Sequence, residues 1–210
     1  SGYFELSEFI DSKPVGYTQS KFSVASFEAF DVKAVHYQGS LTAKMDKQLN
    51  AEITLTNQLK NAAYKEFKLT NINNSLTAKA NLGVGELFAH LTAKTQIKAL
   101  NSADIRLHNI KIDSSGLQSR ALKASHHAFI DDIELVVNHH ISSQAHPFEV
   151  IVPAQSVLPL NTFINQFYPL AKLTKGTFNG NISGDVNLQR ASIDIDTRQL
   201  SGLYNDYLAS

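Results

Sequence analysis

Histidines are the residues of this sequence best suited to metal or acid–base chemistry, and four of the eight occur as adjacent pairs, His126-His127 and His139-His140. Neighbouring side chains of a β-strand point to opposite faces, so the two members of a pair cannot chelate one ion. If Asp131-Asp132 forms the turn between two strands, His126 lies opposite Val137, which is no ligand set. The spacing therefore predicts no metal site and no cofactor.

Motifs for nucleophilic or phosphate chemistry are missing from the sequence. There is no Cys, no Gly-x-Ser-x-Gly, no His-Glu-x-x-His and no glycine-rich loop ending in Gly-Lys-Ser or Gly-Lys-Thr. The paired carboxylates have simpler interpretations. Asp131-Asp132 is typical of a turn, and Asp194 and Asp196 form the solvated face of a strand. We therefore predict no catalytic residues and no enzyme activity.

Composition limits the remaining classes. The chain has 210 residues, 43% of them hydrophobic, with 19 basic and 19 acidic side chains and a formal net charge of zero. A chain without a basic patch is a poor partner for nucleic acid. No apolar run reaches the 18 residues of a membrane-spanning helix. We expect one β-rich domain over residues 1–210, and the start at Ser1 suggests a piece of a longer protein.

Alternation of apolar and polar residues predicts strands through most of the chain. The clearest case is residues 176–188, where Phe178, Ile182 and Val186 share one face with three glycines. Only a strand reverses the side-chain direction at every residue. We predict an all-β fold in which a long, curved and twisted, antiparallel-rich sheet forms a groove.

Two segments have helical features. Residues 159–169 carry apolar side chains at helical spacing, with Asn161 as a candidate N-terminal cap and Pro169 as the stop. This predicts one short amphipathic helix. A turn of helix over Gln58–Ala63 is a further candidate.

Short sequence echoes suggest that similar strands recur. Leu-Thr-Ala-Lys occurs at Leu41–Lys44, Leu76–Lys79 and Leu91–Lys94, and Leu-x-Asn-Ile occurs at Leu69–Ile72 and Leu107–Ile110. The spacings of 35, 15 and 38 residues are too irregular for a solenoid. They fit either one strand pattern used repeatedly in a meandering sheet or chance recurrence.

The apolar strand faces are the candidate binding surface. Glycine inside a strand often marks close approach by another group. In residues 176–188 such glycines would leave room for a ligand chain, or for tight packing against the helix with Phe163 and Phe167. Small alanines beside leucines would also widen a groove. The candidate ligand-contacting residues are Leu41, Ala43, Leu76, Ala78, Leu91, Ala93, Leu107, Phe178, Ile182 and Val186.

The last third of the chain resembles a known family. Its features are the apolar segment Leu160–Pro169, then Leu173-Thr174-Lys175-Gly176-Thr177-Phe178-Asn179-Gly180, and then Ile193-Asp194-Ile195 leading to Leu200-Ser201-Gly202. This resembles the YdbH-like branch of the AsmA-like envelope proteins of Gram-negative bacteria, which are related to TamB and YhdP and are also labelled "dicarboxylate transport". The Leu-x-Asn-Ile segments upstream add to the resemblance.

The resemblance implies a periplasmic protein held at the inner membrane by an anchor outside this chain. It implies a β-groove that holds or conducts phospholipid acyl chains between the inner and outer membranes, with an outer-membrane lipoprotein as a candidate partner. It brings no catalytic residue. Two alternatives stay open. One is a binding module for a small carboxylate or dicarboxylate, although the arginines are scattered, and the other is a purely structural envelope β-domain.

Overall fold

The computed structural model is one open antiparallel sheet of twelve strands, with one short helix in the described part of the chain. It describes residues 2–10, 13–29, 31–83, 89–118, 121–142 and 144–204. The strands pair in chain order, each with its predecessor and its successor. The predicted all-β class is therefore confirmed. The elements are β1 (Gly2–Ile10), β2 (Lys13–Ala29), β3 (Val32–Met45), β4 (Asn50–Tyr64), β5 (Phe67–Asn81), β6 (Ala89–Asn101), β7 (Arg106–Gln118), β8 (Leu122–Ile130), β9 (Ile133–Ile141), β10 (Pro147–Ser156), α1 (Leu160–Ile164), β11 (Ala171–Asp185) and β12 (Arg190–Tyr204).

The predicted helical turn over Gln58–Ala63 is wrong, because these residues belong to β4. Gln58 pairs with Gln38 on one side and with Asn73 on the other, so the segment lies between two hydrogen-bonded neighbours. Pairing on both sides outweighs the weak local preference for helix.

The Leu-Thr-Ala-Lys echo follows from the strand register. Leu41 of β3 and Leu76 of β5 both pair with Leu55 of β4, so the 35-residue spacing spans two strands that run in the same direction. The third copy lies on β6, which runs the opposite way, and there Leu91 pairs with Ala78 while Ala93 pairs with Leu76. The echo is one Leu/Ala pattern placed on neighbouring strands.

The asparagine of each Leu-x-Asn-Ile segment has a left-handed backbone conformation, and these positions lie in a line across the sheet. Asn71 of β5 and Asn109 of β7 have φ of 50° and 51°, and His36 of β3 has φ of 55°. The pairing skips one residue on each strand at this level, where Lys60 of β4 and Lys98 of β6 face them. Asn and His tolerate positive φ better than most residues. We call these three residues the left-handed line.

The turn between β8 and β9 is the predicted one. Asp131 and Asp132 have φ of 48° and 68°, and the hairpin closes where Ile130 pairs with Ile133. Positive φ at both central residues is the type I′ geometry that suits the twist of a two-residue hairpin. The Asp131 carboxylate also accepts a hydrogen bond of 3.0 Å from the His108 backbone N–H.

Three side-chain amides in the segment from β10 to β11 hydrogen-bond to the backbone of residues on other strands. In each case a single amide accepts from a backbone N–H and donates to the C=O of the same residue, as a neighbouring strand would. Gln155 does this to Glu134 of β9, with both distances at 2.9 Å. Gln166 does it to Arg106 of β7, at 2.7 and 2.6 Å. Asn161 does it to Leu173 of β11, at 2.7 and 2.9 Å. We call these contacts the amide clamps.

The predicted helix is present but shorter than residues 159–169, since it ends at Ile164. The assignment of Asn161 as the N-terminal cap is wrong, because the N-cap is Pro159 and the Asn161 side chain clamps Leu173 instead. Phe163 and Phe167 contact each other edge-on, with ring centroids 5.3 Å apart. Two clamp residues and this ring pair therefore fix the segment.

Candidate functional site

The site begins with one face of the sheet on which apolar residues line up across the strands. Pairing places directly paired residues on the same face, and one row runs through Leu41, Leu55 and Leu76 to Ala93 of β6. The row continues over the remaining strands to β12. Its later members are Ser114, His126, Val137, Val150, Ile182 and Ile193. We call the side that carries this row the apolar face.

Parallel rows on the same face are also apolar. In β3 to β6, the residues two and four positions along each strand from the central row lie on the same face and are also apolar. These residues form a strip about 13 Å tall along the strands, since five strand residues span four steps of about 3.3 Å. The additional members are Ala43, Met45, Ile53, Ala51, Ala78, Ala80, Leu91 and Ala89.

Little in the described part of the chain covers this face. Only Ala34, Ile110, Ala128 and Val157 are buried hydrophobic residues there. Ile193 and Ile195 of β12 are 66% and 67% exposed, and Ile53 in the middle of the sheet is also exposed. A sheet normally buries its apolar side against a second layer. Most residues of the strip are half-buried and none is fully buried, so the apolar face has no complete covering layer in the described part of the chain.

A polar belt borders the strip. Asn57, Asn74 and Thr95 form a row next to the leucine row, and the Thr95 hydroxyl donates to the Asn74 side-chain oxygen at 2.8 Å. On the far side of this row the face becomes apolar again with Ile72 and Ile97, which pair with each other. The apolar strip therefore has a hydrogen-bonding margin.

The opposite face is polar and contains the hollows. A hollow of about 860 Å³ crosses β2 to β6 and is lined by Gln38, Ser40, Thr56 and Lys94 among others. Cross-strand side-chain bonds order its floor, with Gln38 donating to Gln58 at 2.7 Å and Ser40 lying 2.8 Å from Thr56. Twist can make both faces of an open sheet concave along different directions. The sequence reasoning did not anticipate hollows on this side.

Eight of the ten predicted ligand-contacting residues lie on the apolar face. Leu41, Ala43, Leu76, Ala78, Leu91 and Ala93 form one contiguous group on β3, β5 and β6. Phe178 and Ile182 lie on the same face at the β11 end. The structure does not bring Leu107 into this group, since it pairs with Leu100 beyond the left-handed line.

Val186 is not on a strand, and its assignment to the strand face is wrong. β11 ends at Asp185, and Val186 begins the turn to β12, where it is 62% exposed. The Asp185 carboxylate accepts a hydrogen bond of 2.9 Å from the Asn187 backbone N–H. This local bond favours a turn and ends the strand.

Two of the three glycines of β11 are explained by neighbouring strands. A Cβ on Gly184 would collide with the Arg190 carbonyl oxygen and lie 3.0 Å from the Phe148 ring. A Cβ on Gly180 would lie 3.2 Å from the Asp194 carbonyl oxygen. Close approach is therefore the reason for both glycines. The approaching groups belong to β10 and β12, and neither the predicted ligand chain nor the Phe163/Phe167 helix fills this space.

Two histidines meet on the apolar face. His126 of β8 pairs with Val137, as the turn at Asp131-Asp132 predicts, and His139 is the diagonal neighbour two residues further along β9. His126 Nε2 lies 3.2 Å from His139 Nδ1. Sequence reasoning missed this contact, because it compared directly opposed residues and did not consider the diagonal pair on one face.

The surroundings of His126 disfavour its charged form. Burial lowers the pKa of His126, and the charge of a protonated His139 lowers it further. The other members of the two doublets lie on the polar face, where His127 Nε2 is 2.7 Å from a Glu134 carboxylate oxygen. In the described residues no group of three or more His, Cys, Asp or Glu side chains is arranged to hold a metal ion.

Comparison with known proteins gave no matching family model, no matching curated protein and no matching solved structure. No helix among the described residues is long and apolar enough to cross a membrane.

Proposed function

We propose that the apolar face of this sheet holds the acyl chains of phospholipids, as part of lipid movement between the inner and outer membranes. The observation that carries the proposal is the extent of this face without a complete covering layer among the described residues. Its central row spans β3 to β12, about 43 Å at about 4.8 Å per strand spacing, and is apolar except at Ser114 and His126. Solvent-exposed patches of this size are typical of binding surfaces.

The chemistry of the face suits a fluid ligand. Each methylene group removed from water contributes about 0.8 kcal/mol, and this gain requires neither a charge nor a shaped pocket. The strip of Leu and Ala residues is smooth, since Ala43, Ala78 and Ala93 separate the larger side chains. The row of Asn57, Asn74 and Thr95 offers hydrogen bonds at its margin, where the polar end of a lipid would lie.

Lipid extraction and native mass spectrometry of the purified protein test the proposal first. We expect phospholipid to copurify with it. We also expect it to take up a phospholipid with a fluorescent acyl chain from vesicles of phosphatidylethanolamine and phosphatidylglycerol. A protein that carries no lipid and takes up none would contradict the proposal.

Matched substitutions separate an open binding face from a hidden core. Ala93→Asp places a carboxylate on the apolar face, and Thr92→Asp places the same group on the polar face of the same strand. Displacing about three methylene groups from the face costs about 2.4 kcal/mol, a loss of about 50-fold in lipid affinity. We expect that loss for Ala93→Asp only, with both variants folded.

A folded Thr92→Asp beside an aggregated Ala93→Asp would instead indicate a covered core, because an unpaired buried charge costs several kcal/mol. Ala78→Asp and Thr77→Asp repeat the comparison on β5.

Binding of a small carboxylate is the second candidate, and one observation favours it. The 860 Å³ hollow on the polar face includes Lys21 and Lys94 and no Asp or Glu in its lining. Titration with succinate tests it. Saturable binding that is lost in Lys94→Gln and kept in Ala93→Asp would favour the carboxylate over the lipid.

A further inference from the structure

A chain of side-chain contacts leads across three strands of the apolar face and ends at an enclosed nitrogen. Ser114 Oγ of β7 lies 2.7 Å from His126 Nδ1, and His126 Nε2 lies 3.2 Å from His139 Nδ1. The two imidazole rings are tilted by 34°, with centroids 4.9 Å apart. His139 Nε2 is buried and has no hydrogen-bond partner among the described residues.

The two facing nitrogens have to share one proton. If both rings are neutral, either His126 or His139 donates into the 3.2 Å contact, and the other accepts. When His139 donates, His126 Nδ1–H donates to Ser114. In both arrangements a lone pair of one ring points at the other ring. This is the arrangement in which a cation can replace the shared proton.

We propose that His126 and His139 form a two-histidine binding site for a transition-metal ion of the kind that prefers imidazole, such as Zn²⁺ or Cu²⁺. Two nitrogens bound to one tetrahedral zinc ion at about 2.05 Å are about 3.3 Å apart. The observed separation of 3.2 Å is close to this value. Imidazole is a preferred ligand of both ions.

Ser114 orients one of the two proposed ligands, His126. Histidine ligands usually donate their second ring N–H to a neighbouring oxygen, which fixes the tautomer that leaves the ligating nitrogen unprotonated. Ser114 Oγ offers that oxygen to His126 Nδ1. His126 then binds through Nε2 and His139 through Nδ1. Water or an anion from solution would supply the remaining ligands, since both rings are only partly buried.

The neighbours of the pair on this face are otherwise uncharged. Ala124 and Phe148 pair with His139 from the two sides, and Val137 pairs with His126. The bound ion would thus be the only charge at this position. The inference is independent of the proposed lipid binding, since the metal ion would be held by the two rings and not by the Leu/Ala strip.

The doublets supply matched controls. His127 and His140 are chain neighbours of the two ligands and lie on the other face of the same strands. Zinc chloride is titrated into the metal-free protein, without any affinity tag, at pH 7.5 by calorimetry. We expect one zinc ion per chain, with affinity at least tenfold lower in His126→Ala and His139→Ala and unchanged in His127→Ala and His140→Ala. Ser114→Ala should weaken binding by about 10–100-fold.

Nitrogen NMR of the unmodified protein gives a readout that does not depend on a variant folding. Zinc should shift the signals of His126 Nε2 and His139 Nδ1 in the same titration. Absence of these shifts at millimolar zinc would overturn the proposal. So would zinc affinity that His127→Ala or His140→Ala reduces as much as the variants of the two proposed ligands do.

Discussion

The clamp formed by Gln166 should be essential for holding the start of β7. Gln166 Oε1 accepts from the Arg106 N–H at 2.7 Å, and Gln166 Nε2 donates to the Arg106 C=O at 2.6 Å. β8 pairs with β7 only from Lys111 onward, so this clamp replaces a missing strand at that edge. Gln166→Glu keeps the shape and the acceptor but removes the donor, and it places a carboxylate oxygen against the Arg106 carbonyl oxygen.

The magnitude follows from the two bonds. A typical hydrogen bond contributes about 0.5–1.5 kcal/mol net, so loss of the clamp costs about 1–3 kcal/mol. Hydrogen exchange at the Arg106 amide should then accelerate by about 5–150-fold, at 1.36 kcal/mol for each factor of ten. Gln166→Ala should give a similar acceleration.

The pH dependence of the Gln166→Glu variant tests whether the lost donor causes the faster exchange. Below pH of about 4 the introduced glutamic acid becomes protonated and regains a donor. The difference between Gln166→Glu and the parent protein should therefore shrink in acid, whereas that of Gln166→Ala should persist. Gln96→Glu, at an exposed position of β6, serves as the control for added charge. Unchanged exchange at Arg106 in both Gln166 variants would refute the clamp's role.

Further variants test the backbone and the histidine pair. Gly184→Ala should cost about 1–3 kcal/mol and lower Tm by several degrees, because its Cβ meets the Arg190 carbonyl and the Phe148 ring; an unchanged Tm would contradict the tight approach. Asn109→Val should destabilise by about 1–2 kcal/mol and Asn109→Gly should not, since φ is 51° there; urea unfolding of both measures this. The pKa of His126 is lowered from 6.5, so the unfolded chain takes up the proton first as the pH falls. Its contribution to stability is complete above pH 6.5 and is lost as the pH falls toward the lowered pKa. Urea unfolding at pH 7.5 and 5.5 with a chelator should show a smaller decrease in His126→Phe than in the parent.

The alternation of apolar and polar residues made the strands predictable. The two repeated tetrapeptides also reflect the register of the sheet and its positive-φ positions. Because polar residues alternate with Leu41, Ala43 and Met45, these three side chains share one face of β3. The strand register places apolar residues of β4 and β5 on the same face. Asn71 of β5 and Asn109 of β7 occupy equivalent positive-φ positions on two strands that run in the same direction, and this accounts for the repeated Leu-x-Asn-Ile sequence. The local sequence thus encodes both the apolar face and the positions of the left-handed line.

The contacts that sequence reasoning missed depend on distant pairing. Gln166 clamps a residue sixty positions earlier, and no local pattern distinguishes it from an ordinary exposed glutamine. The His126–His139 contact needs the diagonal geometry of a hairpin, although a known turn at Asp131-Asp132 would have been enough to find it. Val186 was placed on a strand because alternation continued past Asp185, where a local side-chain bond begins the turn.

The pairing of every strand with its chain neighbours has a consequence for how the molecule folds and changes in length. Each described strand pairs only with strands next to it in the chain. Local contacts of this kind favour fast folding for a β-protein. Such a linear array behaves as a series of nearest-neighbour couplings, so partial opening is expected to proceed hairpin by hairpin. Removing or inserting two successive strands would preserve the strand directions and the face of each apolar residue. The width of the surface could therefore change in steps of about 10 Å, two strand spacings at a time, without a new fold having to be found.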